Sequence, residues 1–312
     1  MPILGLHHVT ATVEDAQDDL DFCLTGLGLR LVKKTVNFDN HHVYHFYYGN
    51  AEGAPGTIWT TFPYKGRGVP AGRKGAGQIA VTSFSVPNGS LDVWRHRLGH
   101  RAVAVTDLAP RFGDPVIAFD DPSGLAFELI ATDRDTRPPW IAAGGFDEAD
   151  AIRGLHSVTM IVRDAAKTVA LMTEMLDYAV IDEADRRIRL VVAGGGPGNT
   201  IDVVTQADAE PAMNGLGTVH HVAMAVATAD EQRRLREELL RYGCKVTEVR
   251  DRCYFQSIYF REPGGVLFEV ATLPPGFTID EEPASLGRGL KLPPWEEPNR
   301  ADIEAHLVDV KY

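Results

Sequence analysis

One unit of strand, helix and three strands recurs four times along these 312 residues, and a repeat of that size leaves the chain few ways to fold. The repeat shows where each early strand gives way to a helix. Asp15, Asn88, Asp164 and Thr228 each stand two residues past a valine that ends an alternating apolar run, and each is an N-cap type. Apolar residues then fall at helical spacing: Ala16, Leu20, Cys23 and Leu24; Leu91, Trp94 and Leu98; Val169, Met172 and Leu176; Leu235, Leu239 and Tyr242. Gly26, Gly99 and Gly243 supply stop signals for three of the four helices. Strand-like runs follow, at 29–36, 43–48 and 57–62 in the first unit. Asp121-Pro122-Ser123-Gly124 and Glu262-Pro263-Gly264-Gly265 form matching tight turns before two similar last strands.

The reading is an α+β chain of four βαβββ modules at 4–63, 76–133, 152–206 and 215–273. It places two domains at 1–140 and 150–273, followed by a tail over 274–312. Prolines in the tail leave room for one short helix near 300–308. Residues 65–77, rich in Gly, Lys and Arg, read as a solvated linker. The glycines of 194–198 read as a hairpin turn, because no GK[ST] and no helix follow them to hold a phosphate.

Composition narrows the partners. The net charge of −12 and pI of about 5.4 supply no basic stripe, which argues against nucleic acid and against an anionic membrane surface. No apolar run approaches the roughly 18 residues of a spanning helix, and no basic leader precedes the first strand, so a cytoplasmic protein is expected. Cys23, Cys244 and Cys253 form no CxxC pair and are expected to be reduced, with Cys23 a small buried hydrophobe. A small molecule remains as partner, and a homo-oligomer is left open.

Chemistry enters with two doubled histidines, His7-His8 and His220-His221, each opening a strand. Strand alternation sets the facing, since a helix must cover the larger apolar set. Val9, Ala11 and Val13 then lie under a helix, and His8, Thr10 and Thr12 face the concave side of the sheet. By the same count His221 and Glu269 face that side too. His8 and His221 hold equivalent positions of two modules, and a Glu in an apolar strand costs several kcal/mol unless it is paired. Two imidazoles and a carboxylate on three strands are a facial metal triad. Val81 and Ser157 stand at the histidine position in the other modules, while Glu128, Asp202 and Thr60 stand at the Glu269 position. One metal per chain is therefore expected, from the first and fourth modules. Parity points His7 and His220 away from it.

The segments GLHHVTA, LGLRLVKKTVNFD, YHFYYGN, GTIWTTFP and DRCYFQSIYFREPGGVLFEVAT, with LPPGF and LKLPP in the tail, carry a resemblance over essentially the whole chain. The chain resembles the vicinal oxygen chelate superfamily of glyoxalases, bleomycin-resistance proteins and extradiol dioxygenases. Within it, the hydroquinone dioxygenases are the similar subgroup. The resemblance implies a ring-cleaving, extradiol-type dioxygenase acting on a hydroquinone-type aromatic substrate with O2. It implies non-haem Fe(II) on His8, His221 and Glu269, with Mn(II) or another divalent ion able to substitute. It carries pocket roles onto His7, Thr10, His220, Arg252 and Tyr259: Arg252 to stabilise a phenolate, Tyr259 or His220 to move a proton, His7 and His220 to orient the ligands. LDFCLTGLG departs from the family where an aromatic is common near Cys23, which touches helix packing rather than chemistry. Two rivals stand beside this reading. A glyoxalase-type lyase or isomerase usually wants a fourth protein ligand, and a metal-free aromatic-binding protein gives no reason for the matched register.

Overall fold

The structure, a computed structural model, describes residues 3–141 and 145–312. The first module runs β1 (Leu6–Val13), α1 (Ala16–Asp21, continued by one π-helical turn over Phe22–Gly26), β2 (Arg30–Asn37), β3 (Asn40–Gly49) and β4 (Ile58–Pro63). The second has β5 (Gln78–Val86), α2 (Leu91–His100), β6 (Thr106–Arg111), β7 (Asp114–Asp120) and β8 (Ala126–Ala131). In the third come β9 (Gly154–Val162), α3 (Ala166–Met175), β10 (Ala179–Ala184), β11 (Arg187–Val191) and β12 (Thr200–Thr205). The fourth comprises β13 (Thr218–Val226), α4 (Ala229–Tyr242), β14 (Arg250–Asp251), β15 (Gln256–Arg261) and β16 (Leu267–Thr272). A short α5 (Arg300–His306) lies in the tail.

Local chemistry accounts for the helix ends. Asp15 accepts from the backbone N–H groups of Gln17 and Asp18, and Thr228 forms a reciprocal capping box with Glu231. Such caps contribute about 1 kcal/mol each. Gly243 ends α4 in the left-handed region at φ 103°. The second module departs from expectation at both ends. Asn88 is occupied by Asp133, so α2 starts later, at Leu91. Gly99 stays inside the helix, and Ala102, at φ 57°, turns the chain out instead. Residues 65–77 are more than a linker. Arg73 and Met213 exchange two backbone hydrogen bonds of 2.9 Å, and Gly72 donates to Leu216, so this stretch pairs with the matching stretch between the third and fourth modules.

Two eight-stranded sheets result, ordered β14-β15-β16-β13-β1-β4-β3-β2 and β10-β11-β12-β9-β5-β8-β7-β6. The antiparallel pairs β1–β13 and β5–β9 are the central joints, so one sheet combines the first and fourth modules and the other the second and third. Each sheet therefore takes one module from residues 1–140 and one from 150–273. The main hydrophobic cluster joins both sheets and their helices, with Trp59, Phe84, Trp94, Phe127, Met160, Met224 and Phe268 at most 1% exposed. Trp94 satisfies its indole N–H on the Asp150 carbonyl at 2.9 Å. The tail straps onto the first module. Fully buried Lys33 on β2 reaches Asp280 and Glu281 at 2.5 Å each, and the Tyr44 hydroxyl donates to the Val308 carbonyl at 3.0 Å. No helix among the described residues is long and apolar enough to cross a membrane.

Candidate metal and substrate site

The joint between β1 and β13 builds the site, and its register contains two faults. Leu6 pairs with Met224 but His8 with Ala223, so His7 is an extra residue on β1. Thr10 pairs with His221 but Ala11 with Val219, which makes His220 the extra residue on β13. A bulge breaks the alternation of facing and re-aims side chains. Parity pointed His7 and His220 away from the ligands. The bulges bring them alongside instead, Nδ1 to Nδ1, at 2.9 Å for His7 and His8 and 2.8 Å for His220 and His221.

With their Nδ1 atoms so engaged, His8 and His221 turn Nε2 toward each other at 3.2 Å. Glu269, placed by the parallel pairing of β16 with β13, brings Oε2 to 2.8 Å from His221 Nε2 and 3.4 Å from His8 Nε2. Its Oε1 accepts from the Ser257 hydroxyl at 2.5 Å. All three residues are at most 5% exposed. Burial lowers the His221 imidazole below its ordinary value, and burial together with the neighbouring ring takes His7 and His220 down to about 3. Burial alone would raise Glu269, but His8 and His221 outweigh it and hold the carboxyl well below the usual range. Two imidazoles converging on a buried carboxylate are a cation's donor set. Ligand bonds of about 2.1 Å at right angles place donors about 3 Å apart, so the residues present fit a divalent ion.

The triad floors a cavity of about 230 Å³. A dry cavity of about 150 Å³ accepts benzene, so this one has room for a single substituted ring. Facing the triad, the Arg252 Nε donates to the Tyr259 hydroxyl at 3.1 Å, and Arg252 Nη2 donates to Asp39 at 3.1 Å. Tyr259 itself stands opposite Glu269 in the β15–β16 ladder. Burial first, then Glu269, raises the Tyr259 hydroxyl well above its ordinary value, so it stays protonated. Burial opposes the Arg252 charge, but Tyr259 and Asp39 outweigh it and keep the guanidinium cationic. His220 lines the cavity, whereas His7 lies behind the His8 ring against Phe255. Thr10 is one step removed: its hydroxyl meets Thr60 Oγ1 at 2.8 Å, and Thr60 meets His45 Nε2 at 2.9 Å.

His45, Asp39 and Ser257 were not among the residues expected from sequence. His45 alternates with Tyr47 on β3, inside a motif already conspicuous as YHFYYGN, and both line the cavity. Burial, followed by the neighbouring His8 and His221 rings, drives the His45 imidazole well below its ordinary value. Asp39 and Ser257 carry no local signal.

The second sheet repeats the geometry without the donors. Ala80 and His156 are the extra residues of its central joint, which puts Val81 and Ser157 where His8 and His221 stand. Arginines fill the remaining space. Glu128 pairs with Arg111, and Asp202 receives both Arg189, at 2.8 Å, and Arg187, at 3.0 Å. Carboxylates neutralised this way leave no ligand set.

Two curled eight-stranded sheets built from four such modules are the vicinal oxygen chelate fold, and comparison with known proteins agrees. The family model described as Glyoxalase/Bleomycin resistance protein/Dioxygenase superfamily matches residues 154–270. The chain is 41% identical to MhqE of Bacillus subtilis, assigned as a ring-cleaving dioxygenase, over 98% of this chain and 99% of that one. It is 38% identical to a chlorohydroquinone/hydroquinone 1,2-dioxygenase of Sphingobium indicum, over 94% and 92%. A crystal structure of a Bacillus subtilis protein assigned as a dioxygenase superposes with a TM-score of 0.95 at 39% identity, covering 99% of this chain and 98% of the other. The chain belongs to this superfamily.

Proposed function

We propose that the protein opens a hydroquinone-type aromatic ring with O2, beside one ring hydroxyl, using an Fe(II) held by His8, His221 and Glu269. The observation that carries this reading is the placement of a buried two-histidine, one-carboxylate set on the wall of a ring-sized cavity that the Arg252–Tyr259 pair also lines. The likeness to a chlorohydroquinone/hydroquinone 1,2-dioxygenase supports the same substrate class. When bound, Fe(II) supplies the one-electron chemistry that O2 needs to react with an aromatic ring.

The chain's own groups do the rest. His7 and His220 fix the tautomers of His8 and His221 through their Nδ1 contacts, and Ser257 holds the second oxygen of Glu269. Arg252 fills the acceptor position of the Tyr259 oxygen, which leaves the phenolic proton free to be donated into the cavity. A para-diol gives the metal only one oxygen, so its second hydroxyl needs protein partners. Tyr259 and cationic Arg252 are those partners, and Arg252 favours the ionised form of the substrate oxygen. Neutral His45, backed by Thr60 and Thr10, is a proton acceptor on the opposite side. The three unpaired cysteines suit the reducing cytoplasm.

A glyoxalase-type lyase is disfavoured by Thr60, which stands where a further carboxylate would be and is committed to Thr10 and His45. The test is anaerobic loading with Fe(II), followed by O2 uptake against hydroquinones and catechols. Consumption with hydroquinones supports the reading, and none with any ring diol overturns it.

A further inference from the structure

A second convergence of metal-ligating side chains lies outside the cavity, where the start of β3 meets the tail helix. His41 and His42 open β3, and Asp302 sits one turn before His306 on α5. One donor atom from each of His41, His42 and Asp302 lies within 4.8 Å of the others. His42 Nε2 is 2.8 Å from Asp302 Oδ2, and His41 Nδ1 is 2.9 Å from Glu296 Oε2. His306 backs the cluster, stacking on His42 at 4.1 Å and donating from Nδ1 to the Asp302 carbonyl at 2.8 Å. Three imidazoles and two carboxylates thus meet at one seam, from segments some 260 positions apart in sequence. An ordinary surface ion pair needs one imidazole per carboxylate and gives no reason for the extra rings.

We propose that His41, His42 and Asp302 form a second metal site, selective for a Zn(II)-class cation, that clips the tail to the β2–β3 hairpin. Two imidazoles with one carboxylate suit Zn(II), Co(II) or Ni(II), and a fourth position is open to Glu296 or water. The side chains are partly exposed, so small rotations bring the donors in to the roughly 2.1 Å that such an ion requires. The clip bears on the cavity through the hairpin tip. Asn37, Phe38 and Asp39 line the cavity wall, Asp39 holds Arg252, and Phe38 packs edge-on against Trp295 of the tail at 5.6 Å. Pinning β3 to α5 fixes that wall. None of these donors lines the cavity, so the clip is independent of the identity of the ion proposed there.

The experiment is the number of Zn(II) ions bound per chain, by equilibrium dialysis and elemental analysis, for the parent and for His42→Ala and Asp302→Ala. Two ions in the parent and one in each variant are expected, with the ion that remains also reporting that the variants are folded. Digestion of the tail should be slowed by Zn(II) in the parent and not in the variants. One ion in all three proteins, or two in all three, overturns the proposal: the first because the site does not bind, the second because the extra ion sits elsewhere.

Discussion

The Nδ1 atoms of His220 and His221 lie 2.8 Å apart although the residues are consecutive on one strand, a contact that regular alternation forbids and the bulge at His220 creates. The same relationship joins His7 to His8 across the pseudo-symmetric joint. Both bulges recur in the second sheet, where no imidazole follows them. The bulge is thus a property of the module, and the proposed metal site exploits it.

If His220 orients His221, then His220→Phe keeps the ring volume and removes the nitrogen. Metal affinity should fall about 10- to 100-fold. Competition with a chelator of known affinity measures it, and an unchanged affinity would confine His220 to the cavity lining.

Tyr259→Phe removes the proton that the Arg252 contact leaves free. Losing such a polar contact typically costs a few kcal/mol, so kcat/KM for hydroquinones should fall about 10- to 100-fold while metal content holds. Steady-state O2 consumption against hydroquinone and catechol should show the preference between them eroding. Equal losses on both substrates would contradict the assignment of the far hydroxyl.

The repeat, the facing of each early strand and the matched register of His8, His221 and Glu269 are all legible in sequence, because period-two alternation and cap residues are local. A one-residue bulge leaves the composition of a strand unchanged, so the true placement of His7 and His220 was not. The pairing of the first module with the fourth brings Asp39 to Arg252, and the β15–β16 ladder brings Ser257 beside Glu269; both depend on contacts that no local pattern encodes. His45 sat in plain view in YHFYYGN, but its cavity partner Thr60 is fixed only by the β3–β4 pairing.

Lys33 is fully buried and bridges Asp280 and Glu281 of the tail. Lys33→Met leaves Glu281 buried without its cation, a loss of roughly 3–5 kcal/mol by precedent, eased because Asp280 is partly exposed. Urea midpoints for parent and variant decide it, and a difference under about 1 kcal/mol would mean water already screens the cluster.

Asp19, which does not line the cavity, supplies a pH dependence of its own. Burial raises its carboxyl from 3.8 to about 6, against the hydrogen bonds from Thr61 and Tyr48. With the folded value above the unfolded one, its stabilising contribution is full below 3.8 and is lost as pH rises through about 6. Asp19→Asn keeps an acceptor for both hydroxyls and cannot ionise. Relative to the parent it should gain roughly 3 kcal/mol between about pH 4 and about pH 7. A gap between the two that does not change with pH would show that Asp19 titrates normally.

Glu269 supplies the carboxylate of the proposed iron site, and its replacement by Gln removes the charge at nearly constant volume. Elemental analysis of parent and Glu269→Gln after identical anaerobic Fe(II) loading, with circular dichroism to establish the fold, tests it most directly. The parent should hold one iron per chain and consume O2 with hydroquinone, and the variant should be folded, nearly iron-free and inactive. A folded Glu269→Gln protein that retains its iron and turns over would contradict the account.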